Sequence, residues 1–308
     1  MKYVYFGTSE FAAIILEELL KNGNAPVAVV TMPDRRAGRG QSLKASPVKT
    51  LASMHHIPMH QPEKPDAALL MDMRLYAPDL FVVAAYGKLL PKTVIDFPQY
   101  KTLNVHPSLL PLYRGPSPIQ TAILNGDKKT GVTIMLLDEQ MDHGPLLAKE
   151  AIEISPDATA ASLLQILAHS SASLLMKTMP RWITHAVKAV PQNDSEATVT
   201  KLLAKEDGHI DWMQSAEYIE RHVRAMTPWP GSWTRMQDKT LKILRARVLS
   251  TSSNHPAGSV LGLKNDLLEI VCGSNILGVS YLQIEGRKPV TAAEFVNGYR
   301  GIIGTTLL

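Results

Sequence analysis

The chain has 308 residues, 45% hydrophobic and 19% charged, which is enough for two domains with cores of their own and too apolar for a disordered or fibrous protein. With 32 basic and 28 acidic residues the formal charge is +4 and the pI near 9.0, compatible with an acidic substrate or partner without singling out a nucleic acid. The lone Cys272 excludes an internal disulfide or a multi-thiolate zinc site, and the apolar runs 4–6 and 81–85 fall far short of the roughly 18 residues of a membrane span; a cytoplasmic chain with no signal peptide or membrane helix is expected.

Residues 1–6 are β-branched and aromatic, the run breaks at Gly7, and Ser9 is placed to cap a helix with apolar positions Phe11, Ile14, Ile15 and Leu19. Residues 27–31, 80–85 and 132–137 read as further buried strands, with helical patterns such as 65–75 between them. Strands alternating with helices predict an α/β fold with a doubly wound, mostly parallel sheet, whose ligands sit outside the carboxyl ends of the strands. A long helix over 159–183 has Pro180 near its end, and the polar segment that follows, with Pro191, Asn193, Asp194 and Ser195, reads as a linker. Beyond it come a helix over 215–226 and strand-like runs at 241–248, 258–263, 267–271 and 279–284, which suggest a small β barrel of the oligonucleotide-binding type. The expected division is a domain over 1–189, a linker over 190–205 and a barrel over 206–308.

Basic residues cluster in two places. Residues 32–49 hold Arg35, Arg36, Arg39, Lys44 and Lys49 against Asp34 alone, with Gly38 and Gly40 and no apolar periodicity, which predicts a flexible loop. Residues 221–247 hold Arg221, Arg224 and five more against Asp238 alone; taken by itself, such a run reads slightly more readily as a solvated helix face and barrel surface than as a nucleic-acid contact. His55, His56 and His60 lie close together without a cysteine or acidic set to complete a metal site.

The chemistry concentrates in two segments. In Asn104-Val105-His106-Pro107-Ser108, the amide and imidazole alternate and so face one side of an extended chain, and the prolines stiffen a stretch that is either a ligand platform or a rigid turn. Residues 132–137 run into Asp138 and Asp142, expected at the carboxyl end of a parallel strand, with Asp142 the best partner for His106. An Asn, His and Asp set with no obvious nucleophile beside it suits acyl transfer to an external nucleophile, although each residue also has an ordinary structural reading.

The stretch 104–120, with Ser108-Leu109-Leu110-Pro111 and Tyr113-Arg114-Gly115, resembles the central motif of 10-formyltetrahydrofolate-dependent formyltransferases, and Met141-Asp142-His143-Gly144-Pro145 resembles their aspartate loop. Phe6-Gly7-Thr8-Ser9, the basic loop over 33–40, and Lys205-Glu206-Asp207-Gly208 with its continuation through Trp229-Pro230-Gly231 are similar to the methionyl-tRNA formyltransferases in particular. The resemblance spans nearly the whole chain. It implies transfer of a formyl group from 10-formyltetrahydrofolate to the α-amino group of methionine on initiator tRNA, supplying formylmethionyl-tRNA for translation initiation. It implies that Asn104, His106 and Asp142 are catalytic; that Ser108, Leu109, Leu110 and Pro111 contact the folate, with Tyr86 and Gly87 lining the same pocket; and that no metal takes part. It implies that Arg35, Arg36, Arg39 and Lys44 meet the acceptor stem of the tRNA, and it favours tRNA contact for the cluster begun by Arg221 and Arg224. A monomer is expected. His143 stands where the family usually has a small residue. A formyltransferase acting on a small amine would share the trio but have no use for the basic loop or the barrel; a non-catalytic nucleotide-binding module would leave the trio without a purpose, and Gly38-Arg39-Gly40 is no dinucleotide fingerprint.

Overall fold

Strand β1 (Tyr3–Gly7) is buried along its whole length, which is why its residues form a continuous apolar run instead of alternating. The computed structural model describes residues 1–37, 42–251 and 253–308. Ser9 accepts a bond from the Ala12 amide and opens α1 (Glu10–Lys21), which buries Phe11, Ile15 and Leu19. There follow β2 (Ala28–Val30), β3 (Arg35–Ala37), β4 (Ser42–Lys44), α2 (Pro47–Met54), β5 (Met59–His60), α3 (Ala67–Arg74), β6 (Leu80–Ala84), α4 (Lys92–Ile95) and β7 (Thr102–His106). Next come α5 (Pro118–Asn125), β8 (Lys129–Leu136), β9 (Leu146–Glu153) and α6 (Ala160–Ile183).

The strands form one sheet in the order β5-β2-β1-β6-β7-β8-β9. It is parallel from β5 to β7, as the alternation of strands and helices predicts. β8 then runs antiparallel to β7, and β9 antiparallel to β8. The expectation that Asp138 and Asp142 follow a parallel strand is therefore corrected. Leu136 pairs with Leu103, so β8 ends beside the start of β7 and residues 138–144 loop back from there. Both faces of β8 are buried, so its apolar run carries no mark of direction.

The basic stretch differs from a flexible loop as well. β3 and β4 pair antiparallel, Arg35 opposite Lys44 and Arg36 opposite Leu43. The base of this hairpin is tied down because Lys49 Nζ donates to Asp34 Oδ2 (2.7 Å) and Gln61 Oε1 (2.8 Å), while Gln61 Nε2 donates to Asp34 Oδ1 and the Met32 carbonyl. The Lys49 and Gln61 bonds hold the Asp34 carboxyl below the usual carboxylate range. Lys49, one of the positive charges of that stretch, is thus paired with its one acid. Arg39 lies outside the described residues.

Two compact units divide the chain. The first comprises Met1–Pro118, Lys129–Glu153 and Leu164–Thr200; the second comprises Ile119–Lys128, Ile154–Leu163 and Lys201–Leu308. In the second, α7 (Ala216–Ala225) is followed by β10 (Ser232–Met236), β11 (Lys239–Leu249), β12 (Val260–Lys264), β13 (Leu267–Val271), β14 (Ile276–Ile284), β15 (Val290–Thr291) and α8 (Ala292–Gly298). The strands make an antiparallel sheet in the order β10-β11-β14-β13-β12, with β15 added to β14. Ile219 and Val223, one helical turn apart on α7, pack with Leu241, Ile243, Leu268 and Leu282 into its core.

Candidate active site

Asn104 and His106 leave the same face of β7 because strand side chains alternate, and both are buried there, 8% and 4% exposed. The loop after β8 brings Asp142 to them. Asn104 Nδ2 donates to Asp142 Oδ1 at 3.2 Å, and His106 Nδ1 lies 3.5 Å from Asp142 Oδ2. The Gly115 amide donates to the same Oδ2 at 2.8 Å. His106 Nε2 lies 2.9 Å from the carbonyl of Tyr113; a carbonyl only accepts, so this nitrogen carries a proton and donates. Two side chains and one backbone amide thus converge on one carboxylate, and both nitrogens of the imidazole face oxygen.

The backbone around the cluster is held under constraint. Asp142 has φ of 48° and Tyr113 of 61°, the left-handed region that side chains other than glycine adopt at a cost. A Cβ on Gly144 would run into the Leu136 carbonyl, so only glycine lets the loop pass β8 this closely. Residues 108–110 are pinned by Thr133 of β8, whose hydroxyl donates to the Ser108 carbonyl (2.7 Å) and accepts from the Leu110 amide (3.2 Å). On the outer side, His143 Nδ1 bonds Asp138 Oδ2 at 2.6 Å, and that bond raises the imidazole pKa above its ordinary 6.5.

Residues 1–179 match the formyl transferase family, and residues 202–300 match the formyl transferase C-terminal domain. The methionyl-tRNA formyltransferase of Alkaliphilus oremlandii is 39% identical over 97% of this chain and 96% of its own length. That of Roseiflexus castenholzii is 43% identical, over 97% and 96%. The chain belongs to the methionyl-tRNA formyltransferase family. Among solved structures, HypX from Aquifex aeolicus in complex with tetrahydrofolic acid superposes with a TM-score of 0.67 at 18% identity, covering 98% of this chain and 48% of that one, a likeness of fold.

Members of the formyltransferase family use a formyl-tetrahydrofolate, and the residues at the ends of the parallel strands fit a flat, largely apolar ring system with a polar edge. Leu89 after β6 and Leu112 after β7 are exposed, while Asn104 and His106 on β7 are buried polar groups. The residues expected to touch folate divide by burial. Leu109 and Pro111 are partly exposed and Gly87 is open, so side chain or backbone is accessible there. Ser108 and Leu110 are fully buried, the Ser108 hydroxyl donating to the Leu112 carbonyl, so the backbone is what they have to offer. Tyr86 is 1% exposed, its ring edge-on to Phe6, and its hydroxyl has no partner among the described residues; burial pushes the phenol up to about 12.

Sequence reasoning missed Thr8, whose hydroxyl donates to the Tyr86 carbonyl (2.6 Å) and accepts from the Met32 amide (3.3 Å), tying the loops after β1, β2 and β6 together. The signal was a hydroxyl immediately after the first strand, where a parallel sheet places ligand loops. It also missed Gly115, whose amide contribution to Asp142 no side-chain pattern reveals. Of the basic residues, Arg35 and Lys44 are exposed and directly opposed across the hairpin. In the second unit, Arg221 Nε donates to the Leu124 carbonyl at 3.0 Å. Arg224 is bound through Nε and Nη2 to Glu220 (2.6 and 2.9 Å) and through Nη1 to the Ala158 carbonyl (3.0 Å), so its guanidinium already has partners on every nitrogen. Glu220 lies one residue before the basic run 221–247, which is why that run looks almost unopposed in sequence.

Proposed function

We propose that this chain transfers the formyl group of 10-formyltetrahydrofolate to the α-amino group of methionine on initiator tRNA, with Asn104, His106 and Asp142 as the catalytic residues. The observation that carries the reading is the convergence of a buried amide and a buried imidazole on a partly buried carboxylate in the first unit of a chain of this family. The folate supplies the formyl group. Asn104 uses one amide hydrogen on Asp142 and has a second to donate to the formyl oxygen as negative charge develops there. His106, with Nε2–H on the Tyr113 carbonyl, exchanges that acceptor for the same oxygen. Asp142 steadies the imidazole and takes the proton that leaves the attacking amine, directly or through a water. The nucleophile comes from the substrate, since the Ser108 hydroxyl is buried and engaged and burial pushes the Cys272 thiol up to about 12.

For the tRNA, phosphate contacts give affinity that falls with salt. Like charges placed directly opposite in a hairpin repel, so Arg35 and Lys44 hold a position that an anion would relieve. Arg36 and Arg39 join them in this reading. In the second unit, the sheet that the sequence suggests is an oligonucleotide-binding-type barrel exposes Arg235, Lys239, Arg245 and Arg247, and these carry the phosphate contacts, joined in this reading by Arg221 and Arg224 of α7. The protein acts as a monomer in the cytoplasm; among the described residues no helix is long and apolar enough to cross a membrane.

The test is formyl transfer from 10-formyltetrahydrofolate to methionyl initiator tRNA. Activity on charged tRNA, abolished by Asp142→Asn, is the expected result. Transfer to a small amine with no turnover of methionyl-tRNA would leave the trio and overturn the substrate.

A further inference from the structure

The segment that reads as a linker is built into the active site. Residues 190–200 run as a strap across both site loops. At one end Val190 exchanges two backbone bonds with Leu146, 2.8 and 2.9 Å. At the other, Arg114 donates to the Thr198 carbonyl (2.8 Å) and accepts from the Thr200 amide (2.7 Å), and the Thr198 hydroxyl accepts from the Tyr113 amide at 2.8 Å. Between these ends, Gln192 Nε2 donates to the carbonyls of Asp142 and Gly144, each at 2.8 Å. Its Oε1 accepts from Arg114 Nε (3.1 Å) and Nη2 (2.9 Å), and the same Nη2 reaches Asp194 Oδ1 at 2.7 Å.

We propose that Gln192 is a positioning residue for the reaction, the centre of a strap that sets the Asp142 carboxylate against His106 and Asn104. One amide reads both sides of the site. Its donors hold the left-handed backbone of Asp142, and its acceptor holds Arg114, whose neighbours Tyr113 and Gly115 give His106 its carbonyl and Asp142 its amide. A Cβ on Gly115 would clash with Thr200, so the strap also explains why that position is glycine. Strain of this kind persists only where surrounding bonds over-determine it, and the strap supplies those bonds. Gln192 reaches Asp142 only through its backbone, so its action on the chemistry is indirect.

The inference rests on the formyl-transfer reading, and its test separates the two. Gln192→Met keeps length and removes donors and acceptor; Gln192→Glu keeps an acceptor for Arg114 but turns oxygen toward two carbonyls. In both, kcat is expected to fall about 10- to 100-fold, as for a modest misplacement of a catalytic group, while KM for folate and for methionyl-tRNA stays within about twofold. In 15N-histidine spectra of the same variants the His106 ring signals move while those of His222, in the second unit, stay. A kcat within about twofold of wild type, a KM that rises in step with the kcat loss, or unmoved His106 signals would overturn the proposal. Should a Gln192 variant fail to fold, Thr198→Val, which deletes the bond to Tyr113 on the opposite loop, is read by the same criteria. Moved His106 signals in a protein whose wild type ignores methionyl-tRNA would keep the strap and reject the substrate; an active wild type with normal variants would do the reverse.

Discussion

Asn104 and His106 stand two residues apart, and a strand needs nothing more to present them together. Asp142 is a different case, because what brings it to them is a loop in a left-handed conformation, held by groups far away in sequence. The amide of Asn104 gives one hydrogen to Asp142, and in the proposed reaction its other hydrogen goes to the reacting oxygen. Asn104→Ala is therefore expected to lower kcat by about 100- to 1000-fold, the equivalent of about 2.7–4 kcal/mol of transition-state stabilisation, with folate KM little changed; steady-state kinetics with methionyl-tRNA checks this. His143 yields a prediction in pH. Its bond to Asp138 raises the folded pKa above the ordinary 6.5, so the protonated ring is favoured by folding. The stability this contributes is fully present below about pH 6.5 and disappears as pH climbs through the raised folded value. The Tm difference between wild type and His143→Gln should be greatest near pH 5.5 and close on the alkaline side. Both partners are about one-third exposed, 32% and 34%, so the effect belongs in the range of surface pairs, under about 1 kcal/mol. A gap that widened with pH would reverse the assignment.

At the scale of elements, the hairpin of β3 and β4 is anchored by Lys49, Asp34 and Gln61 and carries Arg35 against Lys44 at its open side. Changing both Arg35 and Lys44 to alanine should weaken tRNA binding at low salt and reduce the slope of log affinity against log salt by about 2, roughly one for each phosphate no longer neutralised, measured by filter binding across a salt series. An unchanged slope would remove the hairpin from the tRNA surface. The strands and helices that sequence patterns located share a property: each buries a face with a regular period, as α1 does with Phe11, Ile15 and Leu19, or buries both faces, as β1 and β6 do. What stayed hidden lacks that property. The direction of β8 is set by its partner and not by its own residues. The hairpin is too short and polar for a period. Residues 190–200 look like a linker because their partners are backbone groups and single polar side chains on other loops, which leave no repeat in sequence. That Asn104, His106 and Asp142 belong together was legible in the sequence; the scaffold that brings Asp142 to the other two was not.

At the scale of the whole molecule, a boundary drawn between residues 189 and 206 describes where composition changes, but the compact units interleave along the chain. Ile119–Lys128 and Ile154–Leu163 belong with Lys201–Leu308. The bonds that bind them there are specific: Arg221 caps the Leu124 carbonyl, and Arg224, fixed by Glu220, caps that of Ala158. Ile119, Ile123 and Leu163 are buried in those two segments, 6%, 1% and 0% exposed. Burying a side chain of this size contributes about 1.5–3 kcal/mol. A chain ending at residue 200 would retain every residue of the trio and of the strap, yet it would strip both segments of the partners with which they cluster. Such a chain is expected to melt at a lower temperature than the full protein and to bind a dye that reports exposed apolar surface, even though Asn104, His106 and Asp142 are all present. The single change Arg224→Met, which deletes hydrogen bonds to a charged partner and leaves Glu220 without its guanidinium, should reproduce part of the loss at roughly 1.5–3 kcal/mol in urea unfolding. If the shortened chain melted as the full protein does and bound no dye, the two early segments would have to find their stability within the first unit, and the interleaving would carry no energetic weight.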